Sequence, residues 1–375
     1  MSVKQVTPMK CLEQITGLRK AITTGKIEPG AMVGTEFAFS QEWGLARNTV
    51  RKGIAQLVEE GLLERRPGKG LFVRLPHTPT KIVQLVVPNL AWSHMVKIVR
   101  GAQEEGRKCG VQIQVYDAHG QMDLDLEVIR QLPQGSSDGA IIASLHHRQF
   151  SEVLFELKSA RYPFVLVDQR LHDLEVPTVE GDNYGGGYTV GKKLAEQGHR
   201  RVAFLAPLKL QISNDRLSGF RDAMLDSGVL FDRSLVIDLG GEGLTDWLND
   251  KAAGSEQLVA DVLSSPNPPT AIFDGSGDIA PYIYRAARQA GLRIPEDISI
   301  VTFDDSPFNV TLEPEVSRLR HCWTEMGESA LQLLLLQMNK STNGQSKLPE
   351  HKVLPVDWVS GSSLAAPGSA GSKET

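Results

Sequence analysis

From Lys81 to about residue 304, short runs rich in Val and Ile alternate with longer stretches of helical character, and few architectures accept that pattern. The runs fall at residues 82–88, 111–116, 139–143, 164–168, 202–205, 271–273 and 298–304, and the first two are separated by a helix predicted over about 95–109. Near-continuous apolar strands alternating with helices predict parallel sheets covered on both faces. In such sheets ligands bind beyond the carboxyl ends of the strands, where the polar residues of this chain collect.

With 375 residues, 41% of them apolar, the chain is long enough for one small domain and one large two-part domain, each with its own core. No run approaches the roughly 18 apolar residues of a membrane span, and the start Met1-Ser2-Val3-Lys4-Gln5 does not read as a signal peptide, so a cytoplasmic protein is expected. Cys11, Cys109 and Cys322 are far apart and lack metal-ligand spacing, which predicts reduced, mostly buried thiols and no metal. The net charge of −5 is unevenly spread. Residues 1–76 hold twelve Lys and Arg against seven Glu and no Asp, a surplus of five positive charges, which leaves −10 for the remainder. A basic head on an acidic body suggests a nucleic-acid partner for the head.

In that head, Leu12, Ile15, Leu18 and Ile22 recur at helical spacing and Gly25 with Pro29-Gly30 ends the helix. A second helix is predicted over about 35–42 with Thr35 as its cap, and Gly44 turns the chain into a third. There Val50, Ile54, Leu57 and Val58 face the core and Arg47, Asn48, Arg51 and Lys52 face outward. Residues 62–73 read as two short strands joined by the basic turn Pro67-Gly68-Lys69-Gly70. Helix, turn, helix and hairpin make a winged-helix domain of the α+β class, expected over residues 1–74.

Residues 18–73 resemble the GntR-type winged helix, in Gly25, Pro29-Gly30, Glu36, Gly44-Leu45-Ala46-Arg47-Asn48-Thr49-Val50-Arg51, Leu57, Glu60-Gly61-Leu62, Gly68-Lys69-Gly70 and Phe72-Val73. The resemblance implies DNA contacts from Thr35, Glu36, Arg47, Asn48, Thr49, Arg51 and Lys52, and from Arg66, Gly68, Lys69 and Gly70 of the wing. Arg suits guanine or phosphate, and a glycine turn lets backbone approach the duplex closely. The chain departs from the family at Val33-Gly34, at Phe37 where an arginine is usual, and at Ala46 where Ser or Thr is usual. Loss of that cap costs about 1 kcal/mol, and Gly53 inside the third helix about as much again.

After a linker at 75–81, residues 82–359 resemble the sensor of LacI/GalR-type regulators, a two-lobed periplasmic-binding-protein-like α/β domain with parallel sheets. The matching segments are Val167-Asp168-Gln169-Arg170, Asp182-Asn183-Tyr184-Gly185-Gly186, Gly198-His199-Arg200-Arg201-Val202, Arg216-Leu217-Ser218-Gly219-Phe220, Gly291-Leu292-Arg293-Ile294-Pro295 and Phe303-Asp304-Asp305. The expected lobes are 82–180 with 309–340, and 181–308 with 341–359, followed by a disordered tail at 360–375. Carried over by position, Arg216 and Asp304 would hold the effector, with Trp92, His94 and Asp117 on the rim. The family usually has Asn-Asp where this chain has Ser276-Gly277, so Asp274 or Asp278 is a candidate substitute beside Ser276. The stretch at 240–247 could add Trp247.

Joined in one chain, the two resemblances imply an architecture like that of the arabinose repressors: a homodimer that binds operator DNA and responds to a small effector, with a sugar expected, and with no cofactor. The sign of the response stays open, so an activator, or a corepressor-type regulator with a non-sugar effector, is the alternative. An enzyme on an α/β scaffold is disfavoured. Gly185-Gly186-Gly187 matches no phosphate-binding motif and marks close helix packing, and the adjacent Asp304-Asp305 point in opposite directions.

Overall fold

The computed structural model describes residues 3–74, 81–143, 147–171, 174–240, 254–340 and 351–368. The chain divides into two compact units, Met1–Thr80 and Lys81–Thr375. Among the described residues no helix is long and apolar enough to cross a membrane.

The first unit contains α1 (Val3–Thr23), β1 (Met32–Gly34), α2 (Glu36–Trp43), α3 (Arg47–Glu59), β2 (Leu63–Arg66) and β3 (Gly70–Val73), with the strands in the antiparallel order β1-β3-β2. Thr35 caps α2 by accepting from the Ala38 N–H at 3.1 Å, and Gly44, at φ 63°, makes the left-handed turn towards α3. Val50, Ile54 and Leu57 are buried as the helical period requires. On α1 the inward face is Cys11, Ile15, Leu18 and Ile22, whereas Leu12 is 59% exposed. Cys11, Ile15, Leu18 and Ile22 keep an i, i+4, i+7, i+11 stripe, and the small thiol fits where α1 meets α3. A Cβ on Gly53 would stand 2.8 Å from Ile15 Cγ1 and 3.1 Å from Cys11 Sγ. Gly53 is therefore a packing residue, and the contact offsets its helix cost. Ala46 makes no side-chain cap, as its residue type dictates.

The second unit has two six-stranded sheets among its described residues. The N-lobe sheet is built from β4 (Lys81–Val87), β5 (Val111–Asp117), β6 (Gly139–Ile142), β7 (Phe164–Val167), β8 (Thr178–Gly181) and, from far along the chain, β14 (His351–Leu354), all parallel in the order β14-β8-β7-β6-β4-β5. The C-lobe sheet contains β9 (Val202–Ala206), β10 (Val236–Asp238), β11 (Ala271–Asp274), β12 (Ser299–Phe303), β13 (Ser317–His321) and β15 (Val356–Val359), in the order β10-β9-β11-β12-β13-β15 with β15 antiparallel. The helices are α4 (Ser93–Cys109), α5 (Met122–Gln131), α6 (His147–Ser159), α7 (Asn183–Glu196), α8 (Gln211–Asp226), α9 (Ser255–Leu263), α10 (Ala280–Gln289) and α11 (Trp323–Lys340). Each sheet is buried on both faces. Val83, Leu85 and Val87 join one N-lobe cluster and Val86 the other, as Ile300 and Val301 divide between the two in the C-lobe.

The chain crosses between lobes after β8, after β13 and between β14 and β15. Two expected boundaries are corrected. Residues 317–321 belong to the C-lobe sheet and residues 351–354 to the N-lobe sheet. Both segments carry Arg, Lys or His, so no apolar run marks their sheet. The expected tail also starts too early. Ser363 is fully buried, donates to Ile300 O, and accepts from the Ser317 N–H at 2.9 Å, while Ala365 O accepts from Ser299 Oγ at 3.1 Å. Residues 369–375 lie outside the described residues. Of the cysteines only Cys11 is buried; Cys109 is exposed, near the polar end of α4.

Candidate functional site

On the winged unit, Arg47, Asn48, Arg51 and Lys52 are exposed on α3, and Thr49 is half-buried. A hollow of about 370 Å³ opens between the starts of α2 and α3 and the wing, lined by Thr35, Glu36, Arg47, Arg65, Gly68 and Lys69 among others. Glu36, in its lining, pairs with Arg51 Nε at 3.1 Å and Arg65 Nη2 at 3.0 Å. A carboxylate repels phosphate, so Glu36 positions two arginines at this surface. Arg66 is engaged inside the wing, 2.7 Å from Glu64 and 4.3 Å over the Phe72 ring. Gly68, at φ 71°, closes the wing turn, where the Lys69 N–H donates to Arg66 O at 2.9 Å. A Cβ on Gly70 would press on Gly34 O, so that glycine seats the wing against β1.

In the sensor, the key arginine is set by helix packing. A side chain on Gly187 would collide with Arg216 O, and one on Gly219 with Tyr184 O, so α7 and α8 touch backbone to backbone. The Gly185-Gly186-Gly187 run is thus a packing surface, with Gly186 under the Phe303 ring. This brings Arg216, 3% exposed, to Asn183 at the start of α7. Its Nε donates to Asn183 Oδ1 at 2.8 Å, Nη1 donates to Gly275 O at 2.8 Å, Nη2 is 3.4 Å from His321 Nε2, and the guanidinium lies 3.9 Å over the Phe303 ring. Asp304, 9% exposed, follows β12 and accepts on Oδ1 from the Trp323 indole N–H at 3.0 Å and from the Asp305 N–H at 2.6 Å. Trp323 begins α11, which packs on α4 and on β6, β7 and β8, so this hydrogen bond joins the lobes.

Asp168 enters from the opposite lobe, at the end of β7, with a buried Oδ1 that has no hydrogen-bond partner. Burial pushes its carboxyl up to about 7, opposed by the nearby charge of Arg216 and reinforced by Asp304 and Glu180. Burial, then the charge of Asp278, pushes Asp304 up to about 6, while the Trp323 bond opposes the rise. The His321 ring is held well below the usual histidine range by burial and by the charges of Arg216 and His94. Both carboxylates occupy positive φ, 73° at Asp168 and 144° at Asp304, which non-glycine residues rarely adopt and which clusters at functional sites.

The other expected effector residues divide. Trp92 and His94 stack at 6.0 Å, and His94 continues to Trp323 at 5.0 Å and so to His321 at 4.2 Å. An aromatic row thereby runs from the N-lobe rim to Arg216. Asp274 is fully buried and saturated. Oδ1 accepts from Ser276 N, Ser276 Oγ and Gly277 N, and Oδ2 from Ile279 N and Thr302 Oγ1. Asp274 is thus removed from the candidate ligands: it folds its loop, and Ser276 is spent on it. Asp117 accepts from the His119 N–H at 2.9 Å and stands beside buried Asp125. Trp247 lies outside the described residues.

Two family models match. Residues 15–73 match the bacterial regulatory proteins of the gntR family, and residues 192–364 match a periplasmic binding protein-like domain. The arabinose metabolism transcriptional repressor of Geobacillus stearothermophilus is 28% identical over 343 residues, covering 89% of this chain and 92% of that protein. The repressor CytR of Escherichia coli K12 is 26% identical over 323 residues, 86% of this chain and 88% of CytR. Among solved structures, the regulator CelR in complex with cellobiose has a TM-score of 0.65 at 24% identity, covering 85% of this chain and 90% of that one. The chain joins a gntR-family DNA-binding domain to a periplasmic binding protein-like domain. In the gntR-type domain sequence reasoning missed Arg65, because β2 gave no register to tell its outward side chain from that of Arg66. In the periplasmic-binding-protein-like domain it missed Asn183, His321 and Trp323 as site residues, and used Asp168 only as part of a motif. The position of Asp168 at a strand's carboxyl end was the available signal. His321 and Trp323 flank a crossover whose strand was placed in the wrong lobe.

Proposed function

We propose that this chain represses carbohydrate-utilisation genes: the gntR-type domain binds operator DNA as half of a homodimer, and a sugar between the lobes sets the operator affinity. It acts in the cytoplasm, without cofactor, as an allosteric binder and not an enzyme. The observation that carries the reading is the enclosed polar set contributed by opposite lobes, Asp168 with its unpartnered Oδ1 and, across from it, Arg216 and Asp304. Hydroxyls both donate and accept, so a polyol satisfies carboxylate and guanidinium at once. Because those groups belong to different lobes, a guest that bridges them favours one lobe arrangement. That rotation would reset the spacing of two winged helices on half-sites about one helical turn, or a multiple, apart. The arabinose-linked relative named above, and CelR in its complex with cellobiose, support the sugar class.

The test titrates full-length protein against promoter fragments by fluorescence anisotropy, at several salt concentrations, with and without sugars. A preferred fragment, weaker binding in salt and a shift with one sugar are expected. Arg216→Ala keeps the DNA affinity and loses the sugar response. No preference for any fragment at low ionic strength, with or without sugars, ends the reading.

A further inference from the structure

The helix α2 carries three aromatic residues, and they do not share a face. Phe39 and Trp43, four residues apart, stack at 4.5 Å and are buried in the core of the winged unit. Phe37 precedes Phe39 by two residues, roughly 200° around the helix, and is 59% exposed. A single exposed apolar side chain is ordinary on a protein surface. The place of this one is not, because it lines the hollow of about 370 Å³ together with Arg47, Arg65 and Lys69.

The residues just before it are engaged within the domain. Thr35 caps α2, and Glu36 holds Arg51 and Arg65. Phe37 therefore faces whatever the hollow receives, beside Arg47 at the start of α3. The first residues of a recognition helix are the ones that meet base edges in the major groove. An arginine at position 37, usual in the family, would donate to guanine or to phosphate, and a phenyl ring can do neither. Pressed against guanine, adenine or cytosine, the ring would strip water from donors and acceptors and return no hydrogen bond, which costs affinity. Thymine alone presents an apolar group in that groove, its C5 methyl.

Resting on the operator-binding reading above, we infer that Phe37 is a specificity-determining residue that packs on a thymine methyl, so that each operator half-site carries a T·A pair where it meets the start of α2. The surrounding cations attract DNA without regard to sequence, and the ring adds a base preference that they cannot supply.

The test uses the full-length protein to select duplexes from a random pool. Each thymine of the preferred duplex is then replaced singly by deoxyuridine, which keeps the pairing and removes only the methyl. Fluorescence anisotropy should find one thymine per half-site whose replacement weakens binding by about threefold to fivefold, the worth of one buried methyl group. Phe37→Ala should bind the thymine and uracil duplexes equally and keep the salt dependence of the parent, because no phosphate contact is lost. Phe37→Arg should exchange T·A for G·C at that position alone. The exposure of Phe37 keeps both variants folded, which thermal unfolding checks. The assignment is overturned, with operator binding left standing, if every uracil duplex binds as tightly as the parent, if the methyl effect survives in Phe37→Ala, or if Phe37→Arg keeps the T·A preference. It is equally overturned if Phe37→Ala weakens thymine and uracil duplexes by the same factor, which would put the ring on a sugar or between base pairs. If no duplex is preferred at all, the operator reading falls and this inference with it.

Discussion

Asp168 and Asp304 reach the cleft from opposite lobes, and burial raises both above the ordinary carboxylate range, to about 7 and about 6. An unfolded aspartate titrates near 4. Between about pH 4 and pH 7 the folded sensor therefore holds protons that the unfolded chain has released. The stability these groups contribute is full below about pH 4 and is lost as pH rises through their folded values, at up to about 1.4 kcal/mol per pH unit per group. Asp168→Asn removes one such proton while keeping the shape. Denaturant unfolding at pH 5 and pH 8 should show a smaller loss in the variant than in the parent, and equal losses would mean that Asp168 is already ionised in the fold. Asp168 also keeps hydrogen-bonding capacity for a guest, since its buried Oδ1 has no partner within the protein.

At the scale of elements, glycine decides where the site stands. Gly187 and Gly219 let α7 and α8 meet backbone to backbone in the C-lobe, and Gly101 and Gly327 do the same for α4 and α11 in the N-lobe, against Thr324 O and Ile98 O. These helices carry Arg216 and Trp323, so each contact sets one wall of the cleft. Gly219→Val should destabilise the sensor by about 1–3 kcal/mol or more, because the colliding atom is a carbonyl oxygen that no rotamer change relieves. Chemical denaturation measures the loss, and an unchanged midpoint would show that the helices can separate freely. The β-branched strands β4, β6, β7, β11 and β12 are legible in the sequence because burial on both faces demands their composition. The strands β13 and β14 are not, since charged residues in short segments leave the sheet undetermined. The strap at 360–368 reads as low complexity, yet Ser363 is bonded to backbone on both sides and Ala365 O is 2.9 Å from His199 Nε2, a contact visible only once Gly198-His199 and the chain end are brought together.

For the molecule as a whole, the two domain types and the pair Arg216 and Asp304 are legible in sequence, because both depend on local motifs. The partners of that pair, His321, Trp323 and Asn183, are separated from it by up to about a third of the chain and become neighbours only through the crossovers. The proposed function requires more than neighbours. It requires that occupancy of the sensor change the free energy of DNA binding, and such couplings typically amount to about 1–3 kcal/mol, or about 5- to 150-fold in affinity. Linkage makes the coupling reciprocal, so a sugar that weakens operator binding by a given factor must itself bind more weakly, by that factor, to the protein–operator complex. Calorimetric titration of the sugar that shifts operator binding, with and without saturating operator, measures the second factor against the anisotropy value for the first. Equal factors in that range are expected. Sugar affinity that is the same with operator bound as without it would show that the cleft and the winged helix work independently, and the chain would then bind both partners without regulating either.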